Sequence, residues 1–156
     1  WTAGQAEGII AAGMGAFASL RLEKGYRALG SDLTAEYSPF QAGLGWAVDL
    51  DQENFLGREA VLVHQREKAD PVLSCLTLED GTPLGKEPVL DGDRVLGYLT
   101  STAYGYSVGK HIAYAYLPVE YAQPGTAVEV KILGQRFPAR VTREPLFDPQ
   151  MKKLKS

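Results

Sequence analysis

Sulfur, imidazole and excess positive charge are all scarce in this chain of 156 residues. The single cysteine, Cys75, excludes an intrachain disulfide. Two histidines, His64 and His111, at no HxH or ExxH spacing leave no metal-ligand cluster. One reduced thiol fits a reducing compartment, cytoplasmic or mitochondrial matrix. A formal net charge of -3 supplies no basic surface for a phosphate backbone or an anionic membrane, so neither nucleic acid nor membrane is expected as a partner. No apolar run approaches the roughly 20 residues of a membrane-spanning helix. An initiator methionine is missing, as is a signal peptide's basic-then-apolar opening. A chain that opens mid-pattern on Trp1 reads as an excised piece of a longer parent.

What is present is an ordinary globular composition, 45% hydrophobic and 22% charged, in two stretches of different character. The first is mixed. Ile9, Ile10, Met14 and Phe17 recur at near-helical spacing among small residues, which predicts a helix over Gly4–Ala12, a break at the glycines, and a second short helix from Gly15. Leu20 and Leu22 alternate with Arg21 and Glu23, predicting a short strand ended by Lys24-Gly25. A turn or short helix over Phe40–Gly45 and a strand at Trp46–Leu50 follow. Gly57–Lys68 is the clearest amphipathic helix, closed by Asp70-Pro71.

Beyond Pro71 the pattern becomes short and alternating. Strands are expected at Val72–Leu78, Pro88–Leu90, Arg94–Thr102, His111–Leu117, Ala127–Leu133 and Gln135–Thr142. Asp91-Gly92 and Leu133-Gly134 are hairpin signals. Six such strands predict a small antiparallel barrel or sandwich. The division is expected near Asp70-Pro71, with residues 1–70 in a helix-bearing domain and 71–156 in an all-β one.

Several residue groups invite a chemical reading. Gly13–Ala18 matches the GxGxxG/A dinucleotide fingerprint, with Asp32 at the distance of a ribose-binding acid. Its alanine-rich approach is not a strand, and nothing downstream supplies further βαβ units, so the match is discounted. Cys75 alternates with leucines inside a strand, as a buried inert thiol would. His64 reads as a boundary residue of the amphipathic helix, and the basic tail Met151–Lys155 as a solvated, frayed terminus. Arg21 and Glu23, placed on one face of a strand, form either a surface ion pair of little worth or a pre-oriented guanidinium for a carboxylate ligand. Tyr104-Gly105-Tyr106, preceded by Thr100-Ser101-Thr102, makes a hydroxyl-rich loop between two strands that either lines a site or covers the rim of the barrel.

Taken in order, SLRLEKGYRALGSDL (Ser19–Leu33), SPFQAGLGWAV (Ser38–Val48), the stretch Phe55–Leu62 and IAYAYLPVEYAQPGTAVEV (Ile112–Val130) resemble the C-terminal part of the glycine-cleavage T-protein (aminomethyltransferase) superfamily. The resemblance runs along nearly the whole chain. Gly85–Pro118 and the ending Glu144–Lys155 are similar to the flavoprotein branch, the dimethylglycine oxidases and dehydrogenases and the sarcosine dehydrogenases. The tyrosine-containing tail of the stand-alone branch is absent after Pro149.

This resemblance implies an α+β fold: the end of a tetrahydrofolate-binding T-protein core, then a small antiparallel β-barrel. It implies tetrahydrofolate as cofactor, with FAD bound in the parent outside this chain, and an upstream part of the same polypeptide or a companion chain as partner. The parent would oxidise an N-methyl amine and capture the one-carbon unit as methylenetetrahydrofolate. No catalytic residue falls in this chain. Arg21, matching the LRLE arginine, is the first folate-binding candidate, Glu23 its partner, and Tyr104 and Tyr106 are candidates by position. Two alternatives remain: a truncated stand-alone aminomethyltransferase, and a non-catalytic folate-binding or assembly module.

Overall fold

The computed structural model describes residues 1–155. Its centre is a closed six-stranded barrel. The strands are β1 (Val72–Leu78), β2 (Pro88–Asp91), β3 (Arg94–Gly105), β4 (Lys110–Leu117), β5 (Ala127–Ile132) and β6 (Gln135–Thr142). They are arranged β1-β4-β3-β2-β5-β6, with β6 returning to β1 and every pair antiparallel. Closure leaves no unpaired edge. The β5–β6 hairpin turns on Leu133 and Gly134, both at positive φ (46° and 86°), the conformation a two-residue turn needs to match strand twist.

Side-chain alternation sorts the barrel into an inside and an outside. From β4, Ala113, Ala115 and Leu117 point inward to join Leu76, Leu78, Val89, Leu99, Val130 and Val141. Ile112, Tyr114 and Tyr116 point outward and pack with Leu22, Leu73 and Cys75. Both faces of β4 are therefore buried, which is why IAYAYL reads as an unbroken apolar run. Position 97 on β3 admits no side chain. A Cβ on Gly97 would lie 2.2 Å from the Tyr116 carbonyl oxygen, so only glycine lets the two strands approach.

The first stretch differs from the sequence expectation in several places. Residues 20–23 are not a strand. They are the last turn of α1 (Met14–Glu23), whose buried residues Ser19, Leu22 and Glu23 stand at i, i+3 and i+4. A four-residue alternation cannot distinguish these periods, and packing on β3 and β4 decided for the helix. The helix expected over Gly4–Ala12 reduces to a 3-10 turn, Thr2–Glu7, ended by Gly8 at φ 72°. Trp46–Leu50 forms no strand; Gly45–Ala47 is a 3-10 turn and Trp46 is exposed.

The amphipathic helix forms as α2 (Arg58–Arg66), with His64 half-exposed 3.6 Å from Glu67. Tyr104 and Gly105, expected in a loop after the strand Arg94–Thr102, are instead the end of β3, and the hairpin loop lies between Gly105 and Lys110. The basic tail is a short helical turn, α3 (Lys152–Lys155), whose Lys152 and Lys153 N–H groups donate to the Asp148 carboxylate at 2.8 and 3.2 Å. Among the described residues no helix is long and apolar enough to cross a membrane.

Candidate functional site

Helix α1 lies against β3 and β4 through two polar arrangements, one on each side of Leu22. On the first side Arg21 reaches across the chain. Its Nη1 donates to Asp32 Oδ2 at 2.5 Å and to the Tyr26 carbonyl at 3.1 Å, and its Nη2 donates to Ser101 Oγ at 2.7 Å. Asp32 is fully buried, and each of its acceptors is used. Oδ2 also accepts the Ala28 N–H, Oδ1 accepts the Thr100 hydroxyl, and the backbone carbonyl accepts Tyr116 OH at 2.8 Å. Burial, then Tyr37 and Asp32, push the Tyr116 phenol up to about 12, so it stays a donor. A buried carboxylate with a charged partner and this many donors is a satisfied site.

Arg21 therefore pairs with Asp32 and not with Glu23. The sequence expectation of a shared Arg21–Glu23 face fails because a helix turns positions i and i+2 apart, whereas a strand would align them.

On the other side of Leu22, Glu23 is 1% exposed. Its Oε1 accepts the Ser107 N–H at 2.8 Å, which fixes the β3–β4 hairpin loop. Its Oε2 is buried with no hydrogen-bond partner. Glu23 stands in the wall of a cavity of about 510 Å³, with Gly15, Ala16, Ser19 and Leu20 from α1 and Ala103, Tyr104, Tyr106 and Ser107 from the hairpin. Ser19 Oγ donates to the Tyr104 carbonyl at 2.6 Å, tying helix to strand. Tyr104 meets Tyr106 edge-on at 5.1 Å and His111 edge-on at 5.0 Å. Burial lowers the His111 pKa, which favours its neutral form. Three of the four candidate residues, Glu23, Tyr104 and Tyr106, thus line one cavity, and Arg21 stands outside it.

A third cluster anchors the C-terminal segment. Glu144 accepts hydrogen bonds from Arg27 and from Tyr114 OH, and Arg27 lies over the Tyr114 ring at 5.4 Å. The Phe147 N–H donates to the Glu23 carbonyl at 3.0 Å, and Lys24 Nζ donates to the Asp148 carbonyl at 2.9 Å. The segment after β6 is thereby strapped to the end of α1. Cys75 lies in this cluster; burial, and then the Glu144 carboxylate, push its thiol up to about 12, so it is inert.

Asp32, Ser19 and Ser107 were not legible as site residues, while Ser101 stood out only within a hydroxyl-rich stretch. Asp32 stood out only through a fingerprint that the fold does not contain. No strand precedes Gly13, and α1 packs on an antiparallel barrel.

Comparison with known proteins agrees with this architecture. Residues 72–148 match the glycine cleavage T-protein C-terminal barrel domain, and residues 1–52 match the GCVT N-terminal domain. The chain belongs to the glycine-cleavage T-protein family, carrying its C-terminal barrel and a stretch of its N-terminal domain.

Among its relatives is the mitochondrial dimethylglycine dehydrogenase of Rattus norvegicus, 41% identical over 147 residues, covering 92% of this chain and 17% of that protein. The aminomethyltransferase of Prochlorococcus marinus (strain NATL1A) is 35% identical, covering 94% of this chain and 40% of that one. The 4-methylaminobutanoate oxidase (formaldehyde-forming) of Paenarthrobacter nicotinovorans is 35% identical, covering 99% and 19%. The chain therefore spans less than half the length of these relatives.

The crystal structure of the glycine cleavage system aminomethyltransferase T from Bartonella henselae superposes with a TM-score of 0.79 at 27% identity. It covers 85% of this chain and 38% of that one.

Proposed function

We propose that this chain is the C-terminal part of a dimethylglycine oxidase-like flavoprotein. In this reading residues 1–70 complete a folate-binding domain and residues 71–156 form the barrel that supports it. An FAD bound elsewhere in the longer protein would supply amine oxidation, and tetrahydrofolate would accept the one-carbon unit. A cytoplasmic or matrix setting suits such a protein. The observation that carries the reading is the joining of two domain matches on one chain, together with 41% identity to a dimethylglycine dehydrogenase. A stand-alone aminomethyltransferase is the second reading, favoured by its larger covered share of 40%.

The cavity beside α1 fits a flat heterocycle with N–H donors. Tyr104, Tyr106 and Glu23 stand in its wall, and the remaining lining is glycine, alanine, leucine and two serines. In this proposal the two tyrosines touch the folate. Arg21 and Glu23 act by positioning: Arg21 holds α1 on β3 through Asp32 and Ser101, and Glu23 holds the loop that carries Tyr106.

The test uses the intact parent. Arg21→Lys keeps the charge but cannot span Asp32 and Ser101 with a planar fork. It is expected to raise the KM for tetrahydrofolate several-fold while leaving the kcat of amine oxidation unchanged. Equal loss of both would remove Arg21 from the folate function. The isolated chain is expected to bind tetrahydrofolate weakly and to oxidise no amine, and micromolar affinity in calorimetry would contradict this.

A further inference from the structure

A second cavity, of about 240 Å³, shares no residue with the one beside α1. It lies between residues 31–37, the loop before β2 and the first half of β3. Two residues in its wall carry charge, Glu36 and Lys86, and the charges are opposite. Among the described residues neither side chain forms an ion pair or hydrogen bond, with the other or with any neighbour. Both are exposed, so a ligand arriving from water can reach them.

The wall is held in place by contacts of its own. The Lys86 N–H donates to the Leu99 carbonyl at 3.0 Å, and the Leu99 N–H donates to the Glu87 carbonyl at 2.9 Å. The Glu87 carboxylate accepts the Leu84 and Gly85 N–H groups at 2.7 Å each. Lys86 is thereby kept at φ 71°, a left-handed conformation that glycine adopts at less cost. A long charged side chain retained at such a position points to a use for the charge. Tyr37 stacks on Tyr116, whose hydroxyl donates to the Asp32 carbonyl, and Ser31 Oγ lies 3.2 Å from Ser101 Oγ. This side of the cavity is tied to the buried Asp32 cluster.

Size and charge narrow what the cavity can hold. Its volume is below the roughly 300–1,000 Å³ of pockets that take drug-sized ligands, which excludes a nucleotide or a folate. A simple anion would meet Glu36 and a simple cation would meet Lys86, each at a like-charge cost. A molecule carrying both charges engages both residues. We propose that this cavity binds a small zwitterionic amino acid, its carboxylate against Lys86 and its ammonium against Glu36. Each ion pair is reached by water and worth little alone, so recognition needs both. Neither folate nor a flavin is required for this binding.

Saturation-transfer NMR on the intact native protein tests it, with glycine, β-alanine and 4-aminobutanoate as ligands of increasing charge separation. At least one is expected to saturate with a Kd on the order of 1 mM, while acetate and methylamine at the same concentrations do not. Lys86→Gly and Glu36→Gln are each expected to weaken that binding about five-fold or more. Lys86→Gly should leave the melting temperature unchanged or higher, since glycine suits φ 71°, so weaker binding is not loss of fold. Glu36→Gln repeats the test on a separate segment of the chain. Equal saturation by acetate or methylamine, no saturation by any of the three amino acids, or binding that either variant leaves unchanged would overturn the proposal.

Discussion

At the scale of single residues, the contacts that matter join positions far apart in the chain. Asp32 collects Arg21, Thr100 and the Ala28 N–H on a side chain that water does not reach. Asp32→Ala is expected to cost about 3–5 kcal/mol in urea unfolding, the range for removing one partner of a buried pair. Arg21→Ala/Asp32→Ala together should cost less than the sum of the single changes, since the stranded charge is then gone. Cys75 supplies a pH-dependent check. Its pKa is raised from an ordinary 9.0 to about 12 by burial first and the Glu144 carboxylate second. A raised value in the fold means the thiol's contribution to stability is complete below pH 9.0 and is lost as pH rises through about 12. Iodoacetamide at pH 9 is expected to leave the folded chain unmodified and to alkylate it fully in guanidinium; rapid labelling of the folded form would show the thiol is accessible.

Among the elements, β4 and α1 carry opposite lessons. β4 is buried on both faces, the inner one by the barrel and the outer one by α1 and Tyr37, whose ring stacks on Tyr116 at 3.5 Å. Its partner β3 comes close only because Gly97 lacks a side chain. Gly97→Ala is expected to destabilise the barrel by roughly 1–3 kcal/mol, the range for forcing extra atoms into a packed interior. An unchanged denaturation midpoint would show that the strands part easily. α1, by contrast, is apolar on sides that the barrel does not cover. Leu22 is buried, while Met14, Phe17 and Leu20 are exposed. An all-round apolar helix is ordinarily buried on all sides.

For the whole molecule, that uncovered stripe predicts behaviour in solution. Exposed apolar patches drive association. The isolated chain is therefore expected to self-associate at high concentration, and Phe17→Glu to shift it toward monomer without changing its thermal stability by more than about 0.5 kcal/mol. Sedimentation of the two proteins at matched concentrations decides this, and identical profiles would show that the stripe is not the sticky surface. The barrel is closed and has its own core, so association is expected to leave its strands intact.

The six strands, their hairpins, the inert cysteine and the α+β class with its T-protein barrel were readable from residue order. The strands, hairpins and cysteine depend on alternation or turn chemistry within about ten neighbouring residues, and those local preferences agree with the final packing; the T-protein assignment rested on the resemblance of ordered words along the chain. The N-terminal elements were readable only in part: in Leu20–Glu23 a two-residue alternation and a helical turn look alike until one face is buried. What only the tertiary structure decided are the pairings across long stretches of chain. Arg21 meets Ser101 and Asp32, Ser19 meets Tyr104, and Glu23 meets Ser107. Closing the barrel and laying α1 across β3 and β4 brings those partners together, and burial then sets what each polar group is worth. The same closure leaves one oxygen of Glu23 enclosed and unpaired, which no local pattern in the residues could have announced.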